Sequence, residues 1–182
     1  DEQPIHKVLL DGYWISETEV TQAQWEAVMN TTVSQQRDLV DPSWDLLGVG
    51  ADYPMYYVNY YDALEFCRRL SEMTGMTYTL PTEAQWEYAA LGGRYSHGYI
   101  YSGSNNIYDV AWFDTNSREK ISTVKDKRPN ELGLYDMSGN VLEWCLDYSG
   151  DYPSYTVSNP KCTTFHQWVV VRGGNYLLKN SR

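Results

Sequence analysis

Four residues in a short stretch carry oxygen at useful spacing: Gly139, Asn140, Val141 and Glu143. The segment Ser138-Gly139-Asn140 reads as a sharp turn, because Gly and Asn tolerate positive φ. Its backbone carbonyls, the Asn140 amide oxygen and the Glu143 carboxylate make a mixed oxygen set. Hard cations such as calcium take about six to eight such oxygens. A plain hairpin turn, with Glu143 hydrogen-bonded to nearby backbone, accounts for the same spacing. Other chemistry is sparse. The histidines are His6, His97 and His166, scattered along the chain. The cysteines are Cys67, Cys145 and Cys162, with no CxxC pair for zinc or redox work and too few for a disulfide scaffold. Cys67 reads as a small buried hydrophobe. Cys145 and Cys162 read as a disulfide or as two unrelated thiols. Lys125, Lys127 and Arg128 form the one dense basic cluster, read as a solvated loop.

The elements that must position these groups start with helices. Thr21 with Gln24 makes a capping box, and Val20 with Trp25 a hydrophobic staple, so a helix is predicted over 21–29. Thr82 with Gln85 repeats the pattern before Trp86, and Gly92-Gly93 stops that helix. Both tryptophans are expected to be buried. Asn59 caps a third helix, with Asp62 in its first turn and Gly75 past its end; Ala63, Phe66, Cys67 and Leu70 share one face. Strands are predicted over residues 5–15, where apolar residues alternate up to the Asp11-Gly12 turn, and at 77–80, 121–124 and 168–172. Gly133–Met137 reads as the strand that leads into the turn. Residues 30–58 lack periodicity and read as a long loop; 94–130 reads as loop as well.

Composition excludes several classes. The chain has 182 residues, 42% hydrophobic and 21% charged, which suits one globular domain. Net charge is −10, so neither nucleic acid nor an anionic membrane is an expected partner. No apolar run reaches the roughly 20 residues of a membrane span. The 17 tyrosines and 7 tryptophans fit either a recognition surface or gap-filling in an irregular core. Periodicity alone supports an α+β fold with an antiparallel core.

Four ordered motifs add a resemblance. Gly133-Leu-Tyr-Asp-Met-Ser-Gly-Asn-Val-Leu-Glu-Trp144 resembles the signature of the formylglycine-generating enzyme (sulfatase-modifying factor) family. Leu80-Pro81-Thr82-Glu83-Ala84-Gln85-Trp86, Glu19-Val20-Thr21-Gln22-Ala23-Gln24-Trp25 and Val171-Arg172-Gly173-Gly174 are similar to its other landmarks. The resemblance spans residues 1–182 and implies the C-type-lectin-like variant of the fold, two or three helices around small antiparallel sheets. It supports one structural calcium at Gly139, Asn140, Val141 and Glu143. A second calcium is not expected, since Val110 fills the place where relatives carry asparagine.

The family's prototype resembles a copper oxidase that converts a sulfatase cysteine to formylglycine through two metal-binding cysteines. Counted from Arg172-Gly173-Gly174, the first of these falls on Leu178, and leucine cannot ligate copper. The second falls beyond Arg182. Iron-dependent relatives draw histidines from an added N-terminal domain, which this sequence does not carry. The resemblance therefore implies a non-catalytic binding module for a protein or small-molecule ligand, such as the retroelement-diversified variable proteins, with contacts at Tyr176, Leu177 and Leu178. Copper is not expected. The alternative is the oxidase, with its cysteines in a further C-terminal segment. The opening at Asp1 and the stop at Arg182 read as trimmed ends.

Overall fold

The computed structural model describes residues 3–164 and 166–179; the two ends of the 1–182 span lie outside the described residues. Local signals place the helices. α1 (Gln22–Met29), α3 (Tyr60–Thr74) and α4 (Glu83–Ala90) start on the expected caps Thr21, Asn59 and Thr82, and the Asn59 cap, like the other two, proves to be a capping box. In each box the cap side chain accepts an N–H of the first turn while the residue three on returns a bond to the cap. Gly75 closes α3 in the left-handed conformation.

A helix stands where a loop was expected. α2 (Val33–Val40) begins on a fourth capping box, Thr32 with Gln35. The start signal was therefore present. The apolar stripe was not, because only Val33 and Gln36 of this helix turn inward and Leu39 and Val40 are exposed. α5 (Ile107–Val110) is one turn, capped by Asn106.

Strand expectations fare less well. β1 is only Val8–Leu9, pairing in parallel with β3 (Val157–Ser158). Ile5 and Trp14 are exposed, so the alternation over 5–15 has no sheet face to bury. Residues 77–80 form no strand; the Tyr78 N–H donates to Ser71 Oγ instead. Residues 121–124 form none either, since their N–H groups go singly to Leu47, Asn140 and Asp52. β2 (Glu143–Tyr148) pairs antiparallel with β4 (Val169–Arg172), Trp144 opposite Val171. The turn at 138–140 thus precedes β2 without joining a hairpin, and Leu134 and Met137 are buried as core residues rather than strand residues.

Two tryptophans anchor two core clusters. Trp25 is 2% exposed and stacks on Phe66 of α3 with ring centroids 5.4 Å apart, docking α1 on α3. Its indole N–H donates to Thr31 Oγ1. Trp86 packs with Ala89, Ala90, Leu134, Met137 and Cys145, joining α4 to β2. Both tryptophans are buried, as the staple and capping pattern predicted. An ion pair between Arg172 of β4 and Glu83 of α4 ties helix to sheet, with Tyr152 Oη donating to the same carboxylate.

Candidate functional site: a buried turn and an aromatic groove

The turn is fixed by backbone that no other residue type suits. Gly139 has φ +90°, and a Cβ built on it meets Trp112 O at 2.2 Å. Its N–H donates to Gly173 O, and the Asn140 N–H to Trp112 O. The turn is therefore threaded between the 112 segment and the Gly173 bend, with no room for a side chain.

Asn140 is fully buried, at 0% exposure, and holds φ +59°. Its Oδ1 accepts the Ser122 N–H at 3.0 Å, and its Nδ2 donates to Glu19 Oε2 at 2.8 Å. Its carbonyl accepts the Tyr176 N–H at 2.9 Å. One residue thus joins three segments, its side chain holding those around 19 and 122 and its backbone carbonyl that around 176. The sequence reading aimed its amide oxygen at a cation; in the structure one lone pair of that oxygen holds Ser122.

Glu19 is the residue at this turn that sequence reasoning missed. Its carboxylate is buried and accepts from both Asn140 Nδ2 and the Val141 N–H. Nothing local marks it, because its partners lie over a hundred residues away. Burial pushes its pKa well above the ordinary value, helped by Asp136 and Glu143. Glu143 is raised to about 7, mainly by burial and secondarily by Asp136. The Trp86 indole N–H eases that rise, yet lies outside hydrogen-bond geometry and is left without a partner. Asp136 is raised by burial as well. Three acids thus meet around one turn, and among the described residues none of them forms an ion pair.

For a hard cation the fit is partial. No three acidic, histidine or cysteine side chains converge as a metal cluster among the described residues. Backbone oxygen has to supply the rest, and some is placed to do so. Glu143 Oε1 and Val141 O both lie 3.6 Å from the point where a Cβ on Gly173 would stand. Donor chemistry of this kind suits calcium.

Tyr176, Leu177 and Leu178 follow the Gly173 bend. Tyr176 packs on the first core cluster and lines a groove of about 670 Å³. Leu177 and Leu178 stand beside it, half exposed, with their N–H groups bonded to Asn175 Oδ1. The groove runs between the 56–61 segment, Trp144 of β2, and Trp168 with Val169 and Val171 of β4. Its tyrosine walls are held by their hydroxyls: Tyr56 donates to Gly48 O, Tyr57 to Asp45 O and Tyr60 to Leu146 O. Tyr57 adopts φ +61°, a strained backbone for an aromatic residue. A smaller cavity of about 360 Å³ adjoins the groove, sharing Tyr57, Val58, Asn59 and Trp144 and bounded by Leu39, Val40 and Trp44. The tyrosine richness was visible in the composition; its gathering into one wall was not.

The thiols stand apart from this surface. All three cysteines are free, so Cys145 and Cys162 are not bridged. Cys145 is fully buried, and burial drives its pKa far above the ordinary thiol value; Cys67 is pushed up to about 11 by the same cause. Leu178 occupies the place where the resemblance puts the first metal cysteine, so the described residues do not fit a copper-thiolate centre there.

The arrangement defines an α+β, C-type-lectin-like fold of the kind found in the formylglycine-generating enzyme family. Its sequence matches the sulfatase-modifying factor enzyme 1-like domain over residues 1–182, and the chain belongs to that family. It is 32% identical to the chaperone protein LppX of Paenibacillus barcinonensis, covering 93% of this chain and 71% of that one. It is 30% identical to the formylglycine-generating enzyme of Streptomyces coelicolor, covering 99% and 72%. In structure it is similar to the variable protein 1 of Treponema denticola, with a TM-score of 0.82, 30% identity, and 96% and 77% of the two chains covered.

Proposed function

We propose that this chain is a non-catalytic binding module, of the variable-protein type, whose working surface is the aromatic groove beside Tyr176. One observation carries the reading: Tyr176 lines a rigid aromatic groove, while Leu178 two residues on stands where copper chemistry needs a thiolate. Pockets that bind small molecules or peptide segments are mostly apolar and aromatic with a few placed polar groups. Hydroxyls tied to backbone carbonyls keep the tyrosine rings in place, which lowers the entropy lost when a ligand binds. The likeness to the Treponema variable protein and to LppX supports a binding role. The ligand is a protein or a small molecule; net charge −10 disfavours nucleic acid. No helix among the described residues is long and apolar enough to cross a membrane.

A structural calcium at the buried turn belongs to the same reading. The Gly139 and Val141 carbonyls and the Glu143 carboxylate would hold it, with Asn140 shaping the turn around them. The ion would offset the gathered acids Glu19, Asp136 and Glu143 and fix the segment to which Tyr176 is bonded.

The 30% identity to a formylglycine-generating enzyme favours a second reading, a copper-dependent oxidase. That chemistry needs a pair of soft thiolates. A Cu(I) titration against a chromogenic chelator separates the two. The binding-module reading expects the chelator to keep the metal. Withdrawal of one equivalent of copper by the protein would favour the oxidase.

A further inference from the structure

We propose that the groove and the adjoining cavity under α2 form one continuous site for an uncharged, linear oligosaccharide. The proposal rests on the binding-module reading and assigns its ligand class. Charge is the first observation. Charged residues make up 21% of the chain, yet none of the described residues lining the groove is charged. The adjoining cavity has one, Asp62, whose carboxylate is turned back to the Asn59 N–H as a helix cap. An anionic ligand would find no counter-charge among the described lining residues, and a cationic one only the Asp62 carboxylate already engaged at the helix cap, so burying either there would cost solvation with little return.

Donor placement is the second. Asn59 Oδ1 accepts the N–H groups of Tyr61 and Asp62, and Asn175 Oδ1 those of Leu177 and Leu178. These bonds fix both amide planes and leave both NH₂ ends without a protein acceptor among the described residues. The groove thus carries two oriented neutral donors, suited to hydroxyl and ring oxygens. Aromatic faces are the third. Trp168 is 68% exposed and Tyr61 66%, and Trp44, half exposed and packed against Tyr57, lines the adjoining cavity. The C–H faces of a pyranose carry partial positive charge and rest on the negative face of an aromatic ring. Faces, neutral donors and no charge together match a neutral sugar.

Length follows from continuity. The two hollows share Tyr57, Val58, Asn59 and Trp144, so a ligand that crosses this saddle meets Trp168 on one side and Trp44 on the other. Trp168 lines only the groove and Trp44 only the adjoining cavity, so a ligand touching both has to span the two hollows. The helix that forms the second hollow, α2, is the element that sequence periodicity hid.

The test is a tryptophan-fluorescence titration of the protein with cellohexaose, maltohexaose and chitohexaose, each against its disaccharide, and with an uncharged apolar peptide. At least one hexasaccharide should bind saturably and more tightly than its disaccharide. Trp168→Ala and Trp44→Ala should each weaken it by roughly tenfold. Both side chains are exposed, so unchanged melting temperatures confirm that the variants are folded. Saccharide binding that survives both substitutions overturns the proposal. Binding of the peptide alone also overturns it, while leaving the binding-module reading in place. No binding of any probe, together with conversion of a cysteine peptide to an aldehyde, overturns both.

Discussion

Gly139→Ala probes the buried turn most sharply. The substitution forces an alanine to φ +90°, in a region that costs an L-residue about 1–2 kcal/mol. Its methyl group also meets Trp112 O at 2.2 Å and the Trp112 carbonyl carbon at 3.0 Å. Both are backbone atoms and cannot rotate away. Moving the Trp112 backbone aside would break the bond from the Asn140 N–H to that same oxygen. Overpacking of this kind costs about 1–3 kcal/mol. The summed loss is roughly 2–5 kcal/mol. Gly133 supplies the control, because it too has positive φ, +79°, but open space around its Cβ position. Gly133→Ala should lose only the conformational part, about 1–2 kcal/mol. With a urea slope near 2 kcal/mol per molar, the Gly139 variant should unfold about 1–2.5 M earlier and the Gly133 variant about 0.5–1 M earlier. Circular dichroism and tryptophan fluorescence should report coincident transitions. Equal midpoints for the two variants would refute the close threading of the turn beneath Trp112.

Three further outcomes are expected. Trp25→Ala should cost roughly 3–5 kcal/mol in urea unfolding, since the indole is buried, stacked on Phe66 and bonded to Thr31; a loss below about 1 kcal/mol would contradict its anchoring role. Excess chelator should lower the melting temperature of protein purified with calcium, because an ion held only by the folded chain stabilises it by about 2.7 kcal/mol at a hundred times its Kd; the response should vanish in Glu143→Gln, and an unchanged melting curve would end the calcium proposal. Tyr13 is raised to about 12 by burial and by Tyr88, so the folded chain keeps a proton that the unfolded chain loses near 10. Stability should therefore fall as pH rises from about 10 to 12, and Tyr13→Phe should flatten that part of the curve; an identical slope in the variant would show that another group titrates there.

What the sequence disclosed follows from range. Helix starts were legible because a capping box lies within four residues; Thr21, Asn59 and Thr82 each announce themselves. Thr32 does so too, but the helix after it lacks an apolar stripe, and periodicity outweighed the cap. Strands were poorly legible because their pairing is distant: β1 takes its partner about 150 residues later, and an alternating run predicts pairing only where a sheet face waits. At the site, the turn at Gly139-Asn140 was readable from residue type alone. Glu19 was not, because its role is set by contacts with Asn140 and Val141 across the whole chain. The groove was half legible. Tyr176 was placed there through the Arg172-Gly173-Gly174 landmark, whereas Tyr57, Trp144 and Trp168 come from three separate segments that only the fold unites.

The central proposal is that this member of the family is a binding module and not an oxidase. The most direct measurement incubates the protein with Cu(I), oxygen and a sulfatase-type cysteine peptide, then captures any aldehyde with a hydrazide and reads it by mass spectrometry. The account expects the peptide to keep its thiol, with no more aldehyde than copper alone produces. Aldehyde that accumulates over many turnovers in proportion to the protein would contradict it.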